Sequence, residues 1–600
     1  MIAPKTIMIV VLDQGGLVLA KKLARRFPGA EIHGLSSRVK TEIGFTATTA
    51  HLRQLFTAGH SIVGIMAAGI LIRALAPLLA DKRGEPPVIA LSNDGGAVVP
   101  LLGGHHGANT LARRIAKLLG TQAAVTTAGD VTLGLALDEP PPGYSLANPP
   151  AAKAVTAALL AGEAVRVIGK AAWLAKLKKS PKARAILHVT DKAVKPGKLE
   201  LVYHPRTLAL GVGCERGAAP NEVIALARRT LKAQGLAPQS VACVVSLDLK
   251  SDEAAVHALA ADLGVPARFF TAARLERKTP RLKNPSAVVF KAVGCHGVAE
   301  GAALAAAGPR GALIVPKTAL KRATVAIARS PKLIDGETIG KPQGCLDIVG
   351  LGPGDAAYLT PDARAALLQA TDAVGYDLYL DLASELIADA KRHALPLGAE
   401  EARVKLALDL AAKGKRVALI SSGDPGIYAM GAPLFEMLER MNKPAWNRVA
   451  IHVRPGISAM QMAAARSGAP LGQDFCAISL SDLLTPRAAI EQRLRAAAAG
   501  DFVVALYNPV SLRRRELIGV ARDILMAARG PETPVLLAHD LGRPTEKLQT
   551  IALKQLRAES AGMTTLVMIG ASTSKTMTRG TQDWLYTPRG YAVKHAKKTS

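Results

Sequence analysis

The sequence predicts an α/β protein of several domains with parallel or mixed sheets, and three observations carry that expectation. Short β-branched runs alternate with alanine-rich stretches almost throughout: "TIMIVVL" precedes "GLVLAKKLARRF", "SIVGIMA" precedes "GILIRALAPLLA", and "AAVTTA" follows "NTLARRIAKLLG". Such alternation is the pattern of strands joined by crossover helices. The chain has 600 residues, which at roughly 150 per domain is enough for about four domains with cores of their own. Hydrophobic residues make up 49% and aromatics only 4%, so Ala, Val, Leu and Gly must fill those cores, as suits helices packed closely on sheets.

The formal net charge of +29 needs a partner class to explain it. Lysine and arginine are spread over the whole length, with a modest concentration between Lys170 and Lys198. No basic patch interleaved with aromatics and no known module marks a nucleic-acid site, so no such partner is expected. A basic enzyme that attracts a polyanionic small molecule accounts for the same balance. Cysteines at 214, 243, 295, 345 and 476 show no C-x-x-C spacing, and read as reduced thiols of a cytoplasmic protein without a metal site. "IMIVVL" is too short for a signal peptide, and "SIVGIMAAGILI" meets Arg73 well short of a membrane span. A soluble protein with no membrane partner is expected.

In chain order, residues 1–136 form a first α/β domain. It contains "LLGGHHGANTLARRIA", a paired histidine in a glycine turn before Asn109 at a helix start. Histidine serves as a general base near neutral pH, and asparagine caps a helix or polarises a carbonyl. A plain structural turn uses the same residues. Residues 137–204 open with the proline-rich "LDEPPPGYSLANPPAAK" and continue basic and weakly patterned; they are either a connection or a small middle domain. Residues 205–330 return to strand-helix alternation. There Lys250 and Glu253 lie where "VVSLDL" passes into a helix, Glu300 follows "GCHGVAE", and Lys317 stands in "PKTALKR". Each acid has a salt-bridge or cap reading, and the two lysines alternatively meet substrate carboxylates. Cys214 and Cys295 read as small buried thiols. The polar, Pro/Gly-rich 331–344 is a linker.

The next stretch, "LDIVGLGPGDAAYLTP" (346–361), resembles the start of a dinucleotide fingerprint. G-x-G-x-x-G wants glycine at its sixth position, where this chain has Asp355, and no Walker lysine follows. Thr360, Pro361 and Asp362 make a good helix start. "KRVALISSGDPGIYAMGAPLFEML" and "IHVRPGISAMQMAAARSG" repeat the strand-turn-helix plan. Three glycine-bearing turns at successive strand ends imply a ligand crevice at the carboxyl edge of a parallel sheet.

Together "VGLGPGD…LTPDA", "SSGDPGIY", "RPGISAMQMAAARSGAPLGQDF" and "FVVALYNPVS" resemble the tetrapyrrole (precorrin) methyltransferases, in particular the precorrin-3B C-17-methyltransferases of cobalamin biosynthesis. The resemblance covers about 345–592 and leaves 593–600 as a basic tail. It implies two α/β subdomains with a trough between them, S-adenosyl-L-methionine bound in a folded conformation, a precorrin or cobalt-precorrin substrate, and a homodimer. Carried over by motif, the cofactor-facing residues are Pro353, Ser422, Gly423, Asp424, Ile427, Ser458, Ala459, Tyr507, Asn508 and Ala538. Asp355 either caps a turn or reaches the substrate.

In the amino-terminal half, "GIMAAGILIRALAPLLADKRGEPPVIAL", "LLGGHHGANTLARRIA" and "VTTAGD", then "LALGVGCERGAAPNEVIALA" and "AVGCHGVAEGAAL", resemble the cobalt-precorrin-5A hydrolase family. That family opens a δ-lactone and expels a two-carbon fragment as acetaldehyde, which makes His105, His106 and Asn109 the catalytic candidates, with Lys250, Glu253, Glu300 and Lys317 as substrate-binding candidates. The family pattern Ser-Gly-His-x-Gly-Gly-Ala-Asn is one residue longer than Gly-Gly-His-His-Gly-Ala-Asn here, which leaves open the histidine register and the activity. The expectation is a multifunctional cytoplasmic enzyme serving neighbouring steps on one polycarboxylate macrocycle, with transient contacts to other corrin-pathway enzymes. Two alternatives stand beside it. One is a dinucleotide-dependent oxidoreductase, disfavoured by Asp355; the other makes the amino-terminal half a non-catalytic carrier of the intermediate.

Overall fold

A computed structural model describes residues 6–591 apart from 28, 42, 80–83, 127–132 and 512–514, and the side chain of His105 also lies outside the described set. The basic tail 593–600 is outside it too. The chain divides into two compact units, Met1–Gln343 and Gly344–Ser600.

The first unit holds three sheets. The first runs in the order Ile43–Phe45, Glu31–Leu35, Ile7–Val11, Ser61–Ile65, Val88–Leu91, Val98–Leu102, parallel except for the last strand. Val88–Leu91 is buried along its whole length, as a parallel strand covered on both faces must be. Helices Gln14–Ala24 and Ala108–Leu119 pack on one face through Leu17, Leu23 and Ile115. Thr48–Thr57 and Ala68–Leu75 pack on the other through Leu52, Leu55 and Leu71.

Residues 137–204 contain a folded module. Tyr144–Leu146, Glu200–Pro205, Ala185–Val189 and Val165–Ile168 form a four-stranded sheet over a core that includes Val155, Leu174, Leu187 and Tyr203. The buried Tyr203 hydroxyl donates to the Leu137 carbonyl at 2.6 Å, which ties the proline-rich entry to the sheet.

The third sheet runs Ala267–Phe270, Val241–Leu247, Leu208–Cys214, Ala323–Arg329, Ala312–Leu320, the first three strands parallel and the last two antiparallel. The alanine-rich helix Val298–Ala307 lies directly on it. A Cβ at Gly211 would stand 1.9 Å from the Ala299 carbonyl oxygen, so only glycine permits that approach. The stretch read as a linker is laid along this sheet. Phe269 and Lys341 exchange backbone hydrogen bonds (2.8 and 2.9 Å), Arg268 donates to the carbonyls of Glu337 and Ile339, and Ile334 is buried.

The second unit begins with a fully parallel sheet, Lys391–Ala394, Asp372–Gly375, Arg416–Ser421, Cys345–Gly350, Ala450–Arg454. A mixed sheet follows, Phe475–Ser479, Val503–Tyr507, Thr565–Ile569, Pro534–His539, Lys547–Ala552, with a three-stranded sheet formed by Gly468–Ala469, Gln582–Tyr586 and Lys575–Arg579. The expected α/β multidomain architecture is what the chain adopts. Among the described residues no single helix is long and apolar enough to cross a membrane.

Candidate functional site

The three glycine turns of the second unit leave the carboxyl ends of adjacent strands, Arg416–Ser421, Cys345–Gly350 and Ala450–Arg454. They are bonded to one another. Gly352 and Gly423 exchange both backbone hydrogen bonds, at 3.2 and 2.8 Å. Asp424 braces the group: Oδ1 accepts from Gly426 N at 2.8 Å and Oδ2 from Gly456 N at 3.1 Å. A Cβ on Gly350 would lie 2.4 Å from the Gly423 carbonyl oxygen, and one on Gly456 2.1 Å from the same atom. These two glycines serve packing between turns. Gly423 differs: its φ is +62°, and a Cβ there would meet nothing nearer than Ser458 Cα at 4.0 Å. Its open side is a cradle bounded by backbone. At the end of the preceding strand, the Ser421 hydroxyl is buried with no hydrogen-bond partner among the described residues.

The carried-over residues fall into four groups. Ser422, Gly423, Asp424 and Ile427 make the central turn. Ser458 is buried and caps helix Ala459–Ser467, forming a reciprocal box with Gln461. From the mixed sheet, the Tyr507 hydroxyl accepts from Met460 N at 3.2 Å, and Asn508, in a left-handed conformation (φ +51°), donates to Ser479 Oγ at 3.1 Å. Ala538 is wholly buried beside Met460 and Ala463. Pro353 meets the turn after that strand, since a Cβ on Gly542 would stand 3.2 Å from the Pro353 carbonyl carbon. Asp355 caps the short turn Ala356–Tyr358 by accepting from Ala357 N at 2.8 Å, and its residue is exposed.

Sequence reasoning passed over Tyr428 and Ser421. The Tyr428 ring lies 5.2 Å from that of Tyr507, and its hydroxyl donates to the Ala477 carbonyl at 2.9 Å. Burial pushes both phenols above the usual range, so each stays neutral. Tyr428 closes the motif "SSGDPGIY", but its φ of +50° has no signature in residue type.

At the amino ends of the same strands, away from the turns, Cys345 Sγ lies 3.4 Å from both Asp347 Oδ2 and His452 Nδ1. These are metal-ligand types, but Arg454 Nε donates to Asp347 Oδ1 at 2.7 Å and already balances that carboxylate. Burial and the adjacent Asp347 push the thiol up to about 11.

In the first unit the histidine turn stands at one edge of the first sheet. Gly104–His106 follows Val98–Leu102, which runs antiparallel to Val88–Leu91 with Leu102 opposite Val88. The turn therefore sits at the amino edge of the parallel strands, where a Cβ on Gly103 would be 2.4 Å from the Pro86 carbonyl oxygen. His106 is exposed and Asn109 is buried. Beside them Gly107 N and Thr110 Oγ1 bind the Glu139 carboxylate at 3.2 and 3.0 Å. The opposite, carboxyl edge carries a cavity of about 500 Å³ whose polar lining is Asp13, Arg38, Ser92 and Asn93.

Lys250, Glu253 and Glu300 lie near the carboxyl edge of the third sheet; internal donors occupy Glu300 and one oxygen of Glu253, whose buried Oε2 has no hydrogen-bond partner among the described residues. Glu253 is buried, accepts from Gly217 N at 3.0 Å and lies 3.7 Å from both Arg216 and Lys250. Glu300 is buried and accepts from Lys283 N, Asn284 N, Asn284 Nδ2 and Lys317 N, at 2.7 to 3.1 Å. Its desolvation is outweighed by these donors, which hold the carboxyl below its ordinary range. The Lys317 residue is exposed. Burial pushes the Cys214 and Cys295 thiols up, so both are protonated at neutral pH.

Comparison with known proteins agrees with this division. The Tetrapyrrole (Corrin/Porphyrin) Methylases model matches residues 346–557, Cobalamin synthesis G C-terminus matches 208–328, and Cobalamin synthesis G N-terminal matches 50–130. A precorrin-3B C(17)-methyltransferase of Sinorhizobium sp is 42% identical over 250 residues, 42% of this chain and 98% of that protein. The cobalamin biosynthesis protein CobIJ of Mycobacterium bovis is 40% identical over 252 residues, 41% of this chain; the chain spans about half of that relative, 48% of its length. Among solved structures, the methyltransferase CobJ is 41% identical with a TM-score of 0.38, covering 41% of this chain and 100% of that one.

Proposed function

The chain belongs to the tetrapyrrole (corrin/porphyrin) methylases through residues 346–557, and from that premise we propose that it methylates C-17 of a precorrin-3B-type macrocycle, with ring contraction. The methyl donor in this reading is S-adenosylmethionine. The observation that carries it is the open space at Gly423, whose φ is +62°, two residues after a strand end where the buried Ser421 hydroxyl has no hydrogen-bond partner among the described residues. A backbone-lined cradle with a spare buried hydroxyl fits a cofactor held by main-chain groups. Bound S-adenosylmethionine supplies an electrophilic sulfonium methyl, so the protein's share is positioning and exclusion of water. Gly352 and Gly423 fix the depth of the cradle through their mutual hydrogen bonds, and Asp424 does so by accepting from Gly456 N of the third turn. Ser458 and Ala459 fix the helix beside it, and Pro353, Ser422, Ile427, Tyr507, Asn508 and Ala538 shape its walls. Asp355 acts as a turn cap in this scheme.

The amino-terminal half, on its match to the cobalamin synthesis G models, opens a lactone on an intermediate of the same ring system and releases acetaldehyde. A second reading, a carrier without catalysis, is favoured by one observation: the shortened histidine turn lies at the sheet edge opposite the cavity. Cysteine usage and the family resemblance support a cytoplasmic homodimer, which sedimentation equilibrium at the mass of one chain would exclude. The test of the main reading is incubation of the full chain with S-adenosylmethionine and each precorrin-3 form, with and without cobalt, followed by mass spectrometry. Gain of one methyl group on either supports it; no methylated product from either form overturns it.

A further inference from the structure

We propose that the cavity at the carboxyl edge of the first sheet is the amino-terminal half's binding site for one ring edge of the macrocycle, an apolar ring bearing a carboxylate. This deepens the reading of that half as tetrapyrrole-handling and rests on it.

Topology locates the site. Ile7–Val11 and Ser61–Ile65 are neighbours, and the chain leaves the first toward Glu31–Leu35 and the second toward Val88–Leu91. Their following helices, Gln14–Ala24 and Ala68–Leu75, pack on opposite faces. Where strand order reverses in this way the crossovers diverge and leave a crevice at the carboxyl ends, the usual ligand position in such sheets. The cavity occupies that crevice, between Leu12–Asp13, Met66–Ala68 and Ser92–Asn93.

Its chemistry selects the ligand. About 500 Å³ is within the range of small-molecule sites but too small to enclose four linked rings, so one ring and its substituents enter. Ile65, Met66, Ile70, Leu91 and Val99 supply apolar walls. The polar end is built. Asp13 accepts from Gly16 N at 2.9 Å and from Asn93 Nδ2 at 3.2 and 3.0 Å, which locks the Asn93 amide. Arg38 is exposed at the lining and acts on Asp13 electrostatically without forming a salt bridge to it. A guanidinium exposed at the rim of an apolar cavity and, among the described residues, without a bonded carboxylate of its own suits a carboxylate substituent of the ligand.

The experiment uses the full chain and uroporphyrin III, a fluorescent octacarboxylic tetrapyrrole, as the binding probe. Acetaldehyde release from a lactone substrate is followed in parallel, and circular dichroism melting checks folding. The parent is expected to bind two probes per chain, one in each half. Ala67→Trp, at an exposed lining position, should reduce this to one. Arg38→Ala should weaken the second site about tenfold or more, and Arg38→Lys should recover part of it. Two sites of parent affinity in both folded variants would overturn the proposal. So would loss of the second site, or of acetaldehyde release, on His105→Ala/His106→Ala with the cavity variants at parent values. A parent that binds two probes, loses one on Ala67→Trp and releases no acetaldehyde supports the cavity while sinking the hydrolase reading. Acetaldehyde release unaffected by either cavity variant does the reverse.

Discussion

Two alanine substitutions separate the roles of chemically identical glycines in the methyltransferase turns. At Gly456 a Cβ would stand 2.1 Å from the Gly423 carbonyl oxygen and 2.9 Å from that of Gly350. Neither is the end of a flexible side chain, so the turns must part. Overpacking of this kind costs about 1–3 kcal/mol, and losing the Asp424–Gly456 bond adds ~1.5–3 kcal/mol because the acceptor is charged. For a unit of this size that lowers its Tm by roughly 5–25 °C. At Gly423 the space is open, and the cost is that of an L-residue in the left-handed region, about 1–2 kcal/mol. Yet the methyl group occupies the proposed cofactor cradle. Calorimetric melting of the full chain, with S-adenosylmethionine at about a hundred times its Kd, should stabilise the parent's responsive transition by ~2.7 kcal/mol. Gly423→Ala should lose most of that ligand-induced shift while keeping most of its intrinsic stability. Gly456→Ala should lose both. A Gly423→Ala chain with the parent's full shift would refute the cradle, and a Gly456→Ala chain melting with the parent would refute the bracing of the turns.

Isothermal calorimetry on the full chain should show binding of S-adenosylmethionine or its demethylated product and none of NAD; NAD binding alone would remove the assignment. Chymotryptic nicking should begin at Leu483–Leu484, which are 87% and 98% exposed, rather than in 331–341, where backbone bonds to Phe269 and the burial of Ile334 protect the chain; mass mapping of the first fragments decides this. Glu300→Gln should destabilise the first unit by about 2–4 kcal/mol at pH 7, because an amide turns its NH₂ toward backbone donors. The carboxyl of Glu300 is held below its ordinary range, so its contribution is complete above the unfolded-state value near 4.5 and fades as pH falls through the lower folded-state value. The parent–variant gap in urea midpoint should therefore close in acid, and a gap that widens there would contradict the clamp.

How much of this was legible depended on whether side-chain pattern or backbone geometry carried the information. Parallel strands such as Val88–Leu91, buried throughout, announce themselves as apolar runs. The middle sheet did not, because one of its strands is three residues long, Tyr144–Leu146, and another, Val165–Ile168, alternates in exposure within a stretch of sequence rich in prolines and lysines. In 331–341 polar composition suggested a free tether, whereas backbone groups of Lys341, Ile339 and Glu337 do the attaching, and they leave no mark in residue type. The sheet edge at which the histidine turn stands was hidden for a related reason. Its edge is set by the reversed direction of Val98–Leu102, and periodicity reports a strand without its direction. Motif likewise singled out Asp424 but could not show that its carboxylate is spent on Gly426 N and Gly456 N.

The aspartate at 355 explains why a glycine-rich turn that starts like a dinucleotide fingerprint is not built like one. In the dinucleotide fold the helix begins directly after the glycines, and its free N–H groups meet the pyrophosphate. Here Gly350 ends the strand and the helix begins only at Pro361, with the turn Ala356–Tyr358 capped by Asp355 in between. That helix is capped by the Thr360 side chain. The helix after the third turn spends its first donors on the Ser458–Gln461 box, and Gly431 N, opening the helix after the second turn, donates to the Pro425 carbonyl at 2.8 Å. Three helices thus stand behind the crevice with leading N–H groups already bonded within the chain. A phosphate brought to this place would find glycine backbone but little of the converging field that stabilises it elsewhere. A cofactor without phosphates asks only for shape, main-chain hydrogen bonds and exclusion of water, and the braced turns with the open Gly423 supply those.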